Sequence, residues 1–155
     1  MTVRFAQAAD LEAVNVLRRQ VNDLHVAGKP EIFKPGFSNE LENYLFTVFR
    51  DPDKDVVVAD EAGRVCGFAI LHNVSRPETP YMFQRRYLDV DEFCVAQDCR
   101  RQGVGAALVE FICGVSKERG FGRLELNMWE FNQGALAFYE SMGFTTYRRY
   151  MEMKL

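Results

Sequence analysis

The stretch Val90-Asp91-Glu92-Phe93-Cys94-Val95-Ala96-Gln97-Asp98-Cys99-Arg100-Arg101-Gln102-Gly103-Val104-Gly105-Ala106-Ala107 decides the fold of this chain. Its first part mixes acids with Val, Phe and Cys, which is the composition of a mostly buried strand that carries polar groups. Its last part sets two glycines at the start of an apolar-periodic segment, directly after two arginines. The stretch therefore predicts a strand, a short polar loop and the beginning of a helix.

The loop and the predicted helix start have the properties of an anion site. A helix N-terminus presents free backbone N–H groups and a partial positive charge, and glycine lets a ligand approach that backbone. Arg100 and Arg101 add positive charge that suits a phosphate-bearing ligand. An ordinary strand-loop-helix turn, in which Gly103 and Gly105 only relieve strain, explains the glycines equally well, because short glycine patterns are weak motifs.

Length and composition indicate one soluble globular domain over residues 1–155. The net charge of −3 gives no support to non-specific binding of nucleic acid. No apolar run approaches the roughly 20 residues of a membrane span, and no apolar segment follows a basic start, so the expected compartment is the cytoplasm. The four cysteines lack C-x-x-C spacing and there are two histidines, which favours reduced buried thiols and no metal site.

Hydrophobic periodicity and turn residues predict a strand, two helices, three strands, a helix, a strand, a helix and one or two final strands. This order indicates an α/β fold with a mixed sheet and helices on both faces. The segment Val74 to Arg86 contains two prolines and predicts an irregular connection. The predicted strands are Thr2 to Gln7, Val56 to Asp60, Val65 to Asn73, Tyr87 to Val95, Leu124 to Met128 and Thr145 to Leu155, and the predicted helices begin at Asp10, Ser38 or Asn39, Gly103 and Asn132.

Two motifs in the second half of the chain resemble signatures of the GNAT family of N-acetyltransferases. The run Arg100-Arg101-Gln102-Gly103-Val104-Gly105 is similar to R/Q-x-x-G-x-G/A, and the run from Asn132 to Phe144 is similar to N-x-x-A-x-x-F-Y-x-x-x-G-F. They stand in the family's order with a predicted strand between them. The resemblance implies a largely antiparallel central sheet that splays at the central strand, and acetyl transfer from acetyl-CoA to an amine.

The same resemblance implies which residues hold acetyl-CoA, the expected co-substrate. The pantetheine arm carries amides, so it can pair with an open strand edge, here that of Phe93, Cys94 and Val95. Asn132, which the resemblance assigns to the CoA arm, is also a competent helix cap, and it can serve both roles at once. The resemblance assigns the pyrophosphate to the backbone of Arg100, Arg101, Gln102, Gly103, Val104, Gly105 and Ala106, and further contacts to Asn132 and Ala135.

By resemblance, Tyr139 is the general acid that protonates the departing sulfur. A phenol has a reference pKa of about 10 and is therefore a proton donor at neutral pH. A packed tyrosine of an amphipathic helix is the structural alternative. A covalent route through the thiol of Cys94 or Cys99 is disfavoured, because neither has a histidine nearby in sequence and the family pattern does not use one. The prediction is direct attack in a ternary complex.

The general base is sought among the acids of the central strand, in the order Asp91, Glu92, Asp89. An attacking amine with a pKa of about 10 must lose a proton first, and a carboxylate or a water that it holds can accept it. Strand alternation predicts Asp89 and Asp91 on the face of Phe93, with Glu92 on the other, unless a bulge intervenes. A solvated acidic strand end explains these acids almost as well.

The predicted acceptor is a small cationic amine such as a polyamine or an aminoglycoside, because the strand is acidic and the net charge is −3. A protein N-terminus or lysine is the second choice, and a non-catalytic acyl-CoA-binding regulatory module is a different class that remains open. A nucleotide kinase lacks its G-K-[ST], and a dinucleotide site lacks its third glycine. The resemblance leaves a homodimer open. Candidate acceptor contacts are Phe33, Phe37, Tyr44, Tyr81, Met82, Phe83, Trp129 and Glu130.

Overall fold

A five-stranded sheet forms the centre of the structure, a computed structural model that describes residues 1–155. Four helices accompany the sheet, and none is both long and apolar enough to cross a bilayer. In chain order the elements are β1 (Thr2–Phe5), α1 (Leu11–Gly28), α2 (Asn39–Arg50), β2 (Lys54–Glu61), β3 (Arg64–Arg76), β4 (Arg85–Val95), α3 (Val104–Glu118), β5 (Leu124–Leu126) and α4 (Gln133–Ser141).

The strands lie in the order β1-β2-β3-β4-β5, with antiparallel pairing from β1 to β4 and β5 parallel to β4. A tight turn at Ala62 and Gly63 joins β2 to β3, and both residues have a positive φ. The parallel pairing of β5 requires a crossover, which α3 supplies. The predicted α/β class with a mixed, largely antiparallel sheet is confirmed.

The helices cover both faces of the sheet. On one face, Arg18 of α1 reaches Glu92 of β4. On the other face, α3 packs so closely against β3 that a β-carbon at Gly67 would lie 3.1 Å from Leu108 and 3.2 Å from Val104. The core therefore forms two layers, one on each side of β2, β3 and β4.

Strand β4 carries a bulge at Asp91 and then leaves its neighbour. Glu92 pairs with Ile70 and Val90 with Leu71, so that Asp91 is an extra residue in β4. The pairing with β5 ends at Val90, although β4 continues to Val95. The edge of β4 from Asp91 onward is therefore unpaired, and the predicted splay at the central strand is confirmed.

The hairpin of β3 and β4 is longer than the sequence predicts. Val74 pairs with Tyr87 and Arg76 with Arg85, which reduces the predicted irregular connection from Val74–Arg86 to residues 77–84. Both prolines of this region lie inside that shorter connection. Because no proline falls in the extended ladder, its N–H groups are available for pairing.

The prediction of one or two strands over Thr145 to Leu155 is wrong for this structure. The segment makes no backbone hydrogen bond beyond that of Phe144 to Tyr139, and its side chains are exposed. Its contacts with the rest of the chain come from side chains: Tyr147 with Glu125 and Arg85, and Glu152 with Lys29. All residues of the segment are exposed, so no buried face fixes a register of pairing with the outer edge of β5.

Candidate functional site

The loop between β4 and α3 is held by its own side chains. The Arg100 guanidinium donates from Nε to the carbonyl oxygen of Val95 at a distance of 3.3 Å. Val95 is the last residue of the unpaired β4 edge. The Gln102 amide donates to the carbonyl oxygen of Asp98 at 2.8 Å. These bonds fix the course of the loop directly in front of the α3 N-terminus.

The two glycines of this loop have different surroundings. Gly103 has φ +83°, a left-handed conformation that glycine adopts without strain, and open space surrounds the position of its missing side chain. Gly105 faces α4, where a β-carbon would lie 3.0 Å from Cζ of Phe138. Gly103 thus leaves room for a ligand next to the backbone, whereas Gly105 lets α3 approach α4.

The remaining residues of the predicted pyrophosphate loop differ in exposure. Arg101 is exposed and has a positive φ of 60°, while Ala106 is half-buried. Val104 is buried and belongs to the hydrophobic core. The side chain of Val104 is therefore a packing group, and only its backbone N–H can contribute to binding.

The phenol ring of Tyr139 lies beside the unpaired edge of β4. Its centroid is 5.9 Å from that of Phe93, and the Phe93 ring also stacks on Phe138 at 5.8 Å. Burial, with a smaller effect of the nearby Cys94 thiol, raises the pKa of Tyr139 to about 12. The phenol is consequently protonated throughout the neutral range.

The N-terminus of α4 is capped by Asn132, whose Oδ1 accepts a hydrogen bond from the backbone N–H of Ala135 at 3.1 Å. This bond uses the carbonyl oxygen of the amide and leaves its NH₂ group available. Asn132 therefore positions the helix that carries Tyr139.

The bulge brings the acids of β4 onto one face. Asp91 and Glu92 both contact residues of the α1 and α2 side, whereas Phe93 contacts α4 on the opposite side. This bulge is the exception that the prediction of regular alternation allowed for: the extra residue at 91 shifts the alternation by one, so Asp91 and Glu92 are not separated.

Glu92 is held by a buried guanidinium. Arg18 donates from Nε and Nη2 to the two carboxylate oxygens of Glu92, at 2.9 and 3.0 Å, and its side chain is only 5% exposed. Arg18 also donates to the carbonyl oxygen of Leu41 and to Oδ1 of Asn15. This bidentate pair joins α1, the start of α2 and β4 behind the unpaired edge.

Two further acids on this face have their own basic partners. Asp91 pairs with Lys54 of β2 at 3.1 Å, and the same ammonium lies 3.4 Å from the hydroxyl oxygen of Tyr44. Glu125 of β5 pairs with Arg85 and accepts a hydrogen bond from the Tyr147 hydroxyl at 2.6 Å. The charges of both acids are thereby balanced within the protein.

Asp89 has no basic partner. It lies between His72 and Glu125 in the sheet register, and its carboxyl group is within hydrogen-bond reach of Asp91. Burial first, and then the neighbouring carboxylates of Asp91 and Glu125, raise the pKa of Asp89 to about 7. A carboxyl group with a pKa near the working pH suits proton exchange with a substrate.

An aromatic cluster lies at the end of α1 and in the segment that follows β5. The His25 ring stacks on Phe33 at 4.8 Å, and Phe33 meets Trp129 edge to face at 5.2 Å. A β-carbon at Gly28 would lie 2.3 Å from the ring of Phe131, so α1 ends directly on that ring. Burial lowers the pKa of His25, which is close enough to Glu92 to sense its charge.

The other candidate acceptor residues are more dispersed. Phe37 packs against the guanidinium of Arg18. Glu130 is exposed, and Tyr81 and Phe83 project into solvent from the connection between β3 and β4. The structure therefore groups Phe33, Phe37, Tyr44 and Trp129 around α1 and α2, and leaves the 77–84 connection outside this group.

The thiols near the unpaired edge are poor nucleophiles. Burial raises the pKa of Cys94 to about 11, and contact with Cys66 together with burial raises that of Cys99 to about 11. Neither thiol is ionised near neutral pH. No three His, Cys, Asp or Glu side chains come close enough together to hold a metal ion.

Sequence reasoning missed the basic partners of the acids, namely Arg18, Lys54 and Arg85. One signal for Arg18 is present in the sequence. It follows Leu11 and Val14 at helical spacing on the buried stripe of α1, and a charged residue in such a stripe indicates a buried ion pair. Lys54 and Arg85 have no comparable signal, because each lies at the end of a strand where basic residues are usual.

The centre of the structure is thus a strand with a bulge and one partly unpaired edge. A helix that starts at a glycine follows this strand, and a tyrosine lies beside it. The sequence matches the Acetyltransferase (GNAT) family over residues 18–144. The chain belongs to this family.

Two relatives named as acetyltransferases agree with this assignment, and a solved structure shares the fold. The chain is 22% identical over 93% of its length to the L-ornithine N5-acetyltransferase of Arabidopsis thaliana, and 36% identical over 57% to a 5-NmdU N-acetyltransferase of Pseudomonas phage PaMx11. It spans 63% and 55% of these two proteins. The tetramutant of the BH1408 protein from Bacillus halodurans has the same fold, with a TM-score of 0.95 and 28% identity over the full length of both chains.

Proposed function

We propose that this protein transfers the acetyl group of acetyl-CoA to the primary amine of a small cationic acceptor, by direct attack in a ternary complex. The observation that carries the proposal is the unpaired edge of β4 beyond Val90, with Tyr139 beside it on one face and Asp89 on the other. An acyl carrier on this edge has a proton donor on one side and a proton acceptor on the other.

The residues of the chain fit acetyl-CoA, which supplies the acetyl group as a thioester. The edge of β4 from Asp91 to Val95 has no strand partner on its β5 side and matches the amides of a pantetheine arm, although Arg100 already bonds to the Val95 carbonyl oxygen. The open backbone at Gly103, followed by the α3 N-terminus and accompanied by Arg100 and Arg101, suits a pyrophosphate. In this arrangement Asn132 and Ala135 hold α4 in position for Tyr139.

The proton transfers are assigned to two groups of the chain. Asp89 accepts the proton of the acceptor ammonium, because among the acids of this face it alone has no basic partner. Asp91 and Glu92 are neutralised by Lys54 and Arg18, which makes them weaker candidates for the base. The phenol of Tyr139 donates its proton to the departing sulfur as the carbon–sulfur bond breaks. The second proton, which the acceptor nitrogen loses as the amide forms, restores the phenol through solvent.

The acidic face supports a cationic acceptor. One named relative is an L-ornithine N5-acetyltransferase, and its substrate agrees with a small amine as the substrate here. The high pKa values of Cys94 and Cys99 support direct attack over an acyl-enzyme. A polyamine, an aminoglycoside and a peptide amine are therefore all amines to include in a test.

The test combines calorimetry with a thiol-release assay on the purified chain. We expect acetyl-CoA to bind in the absence of acceptor, and free CoA thiol to appear only when an amine is added. The amine panel contains small amines, an aminoglycoside, and peptides with a free N-terminus or a lysine. Binding without thiol release from any amine would identify a non-catalytic acyl-CoA-binding module, and no binding at all would refute the proposal.

A further inference from the structure

We propose that Lys54 determines acceptor specificity: its ion pair with Asp91 leaves the acceptor face with one unpaired carboxylate and selects amines that carry a single positive charge on an apolar or aromatic body. This inference rests on the proposed function and narrows its substrate class. It changes the preference from polyamines and aminoglycosides to monoamines.

Most of the negative charges on this face of β4 and β5 are balanced by basic side chains. Four carboxylates occur there, and three of them form ion pairs: Glu92 with Arg18, Asp91 with Lys54, and Glu125 with Arg85. Asp89 remains. Because a buried ammonium needs a carboxylate partner, the face can accommodate one substrate ammonium without breaking an internal pair.

The side chain of Lys54 is held in place on this face by its contacts. It starts β2, lies opposite His72 of β3, and crosses that strand to reach Asp91 of β4. Its side chain is 16% exposed, and its ammonium lies 3.4 Å from the Tyr44 hydroxyl and 5.9 Å from the centre of that ring. A second ammonium of a diamine would have to displace Lys54 from these three groups to gain a carboxylate.

The surface that adjoins this face is aromatic and mostly apolar. An aromatic cluster lies next to Glu92, and its rings contact one another by stacking and edge to face. Its members are His25, Phe33, Trp129 and Phe131. Its neighbouring acid, Glu130, is exposed to solvent. Aromatic walls favour an acceptor whose body is flat and apolar, since each ring contact adds to the burial of that body.

The experiment compares two amines of equal length, n-butylamine and 1,4-diaminobutane, at about pH 8, where most histidine side chains are neutral. We expect the native chain to acetylate n-butylamine with a kcat/KM about tenfold higher than that for the diamine, because the second ammonium of the diamine has no free carboxylate partner; tenfold is about 1.4 kcal/mol. In Lys54→Met, Asp91 becomes available, so the ratio should shift toward the diamine by about tenfold. Lys54→Arg keeps the charge and should keep the ratio.

Two further measurements make the outcome specific. Lys117→Met removes an exposed lysine from α3 and should leave the ratio unchanged. Phenethylamine should exceed n-butylamine in kcat/KM with the native chain, and Trp129→Ala should reduce that advantage. Circular dichroism spectra of all variants establish that they are folded.

The results separate this inference from the function on which it rests. A native chain that prefers 1,4-diaminobutane, or a folded Lys54→Met whose ratio does not move, overturns the specificity role while the acetyltransferase activity stands. Equal rates for phenethylamine and n-butylamine overturn the aromatic part. If no amine is acetylated at all, the proposed function fails and this inference fails with it.

Discussion

The carboxyl group of Asp89 lies within hydrogen-bond reach of that of Asp91, and only Asp91 of the two has a basic partner. Burial and the neighbouring negative charges raise the pKa of Asp89 to about 7. If Asp89 is the general base, kcat/KM for the acceptor should rise about tenfold per pH unit below 7 and gain less above it.

A pH–rate profile of thiol release from about pH 5.5 to 9 tests this expectation. In Asp89→Asn the limb below pH 7 should disappear, together with most of the activity. Asp98→Asn removes a surface carboxylate that pairs with Arg64 and serves as the control, for which we expect the native profile. An Asp89→Asn enzyme with the native limb would assign that limb to another group.

The same carboxyl group should make stability depend on pH. Because the pKa of Asp89 is higher in the folded chain than the reference value near 4, the folded state binds more protons between about pH 4 and pH 7. Its contribution to the free energy of unfolding therefore falls as the pH rises through that window. We expect Asp89→Asn to raise Tm relative to the native chain at about pH 8 and to have little effect at pH 4.5. Equal Tm differences at both pH values would contradict the raised pKa.

Removal of the Tyr139 hydroxyl should affect the chemical step more than binding. Tyr139→Phe keeps the ring contacts with Phe93 and Phe144 and removes only the proton donor. We expect kcat to fall by about 100-fold with little change in the Kd of acetyl-CoA, because general acid catalysis contributes on that order. Steady-state thiol release and calorimetry on the same preparations give both numbers. An unchanged kcat would exclude the phenol from the mechanism.

The sequence predicts the elements of this fold better than it predicts their ends. Apolar spacing identifies α1 and α3, and the two motifs identify the β4 loop and α4, because these signals are local. The bulge at Asp91 is not encoded by any residue type in its neighbourhood, since it depends on the register with Ile70 and Leu71. The pairing of Val74 with Tyr87 was missed because the two prolines indicate an irregular connection without showing where it begins.

In the candidate site, too, the sequence predicts features that depend on local spacing and misses those that depend on distant contacts. The motifs identify Tyr139, Gly103 and Asn132 as candidates, because their spacing is fixed within one loop and one helix. The choice among the acids could not be made from the sequence, because it depends on partners far away in the chain, such as Lys54 and Arg18. Asp89 is the last of the three acids in the predicted order of candidate bases, and it is the one that these basic side chains leave without an ion pair.

The left-handed glycine at the start of α3 permits a test of the phosphate loop. Gly103→Ala should destabilise the fold by about 1 kcal/mol, because a side chain is disfavoured at φ +83°. It should also weaken acetyl-CoA binding, since the β-carbon occupies open space beside the backbone. Gly120→Ala, at φ +71° beyond the other end of α3, is the matched control. We expect a similar loss of stability there with unchanged affinity in calorimetry. Equal affinities for the two variants would place the ligand away from Gly103.

The buried pair of Arg18 and Glu92 separates a structural role for Glu92 from a proton-transfer role. Arg18→Met removes the ion-pair partner of the Glu92 carboxylate, whose side chain is 25% exposed. Glu92→Gln removes the partner of the Arg18 guanidinium, whose side chain is 5% exposed. Each change should lower the free energy of unfolding by about 3 kcal/mol in urea titrations. The double variant should lose clearly less than the sum, because neither unpaired charge remains.

The double variant then decides the role of Glu92 in catalysis. It lacks the Glu92 carboxylate but keeps the aromatic groups, Asp89 and Tyr139. If Glu92 only holds α1 against β4, the folded double variant should retain a kcat within about tenfold of the native value, a loss that general base catalysis would exceed. A loss of about 100-fold or more, with the pH limb near 7 also gone, would transfer the base from Asp89 to Glu92. Additive losses of stability would instead show that the two side chains do not act as a pair.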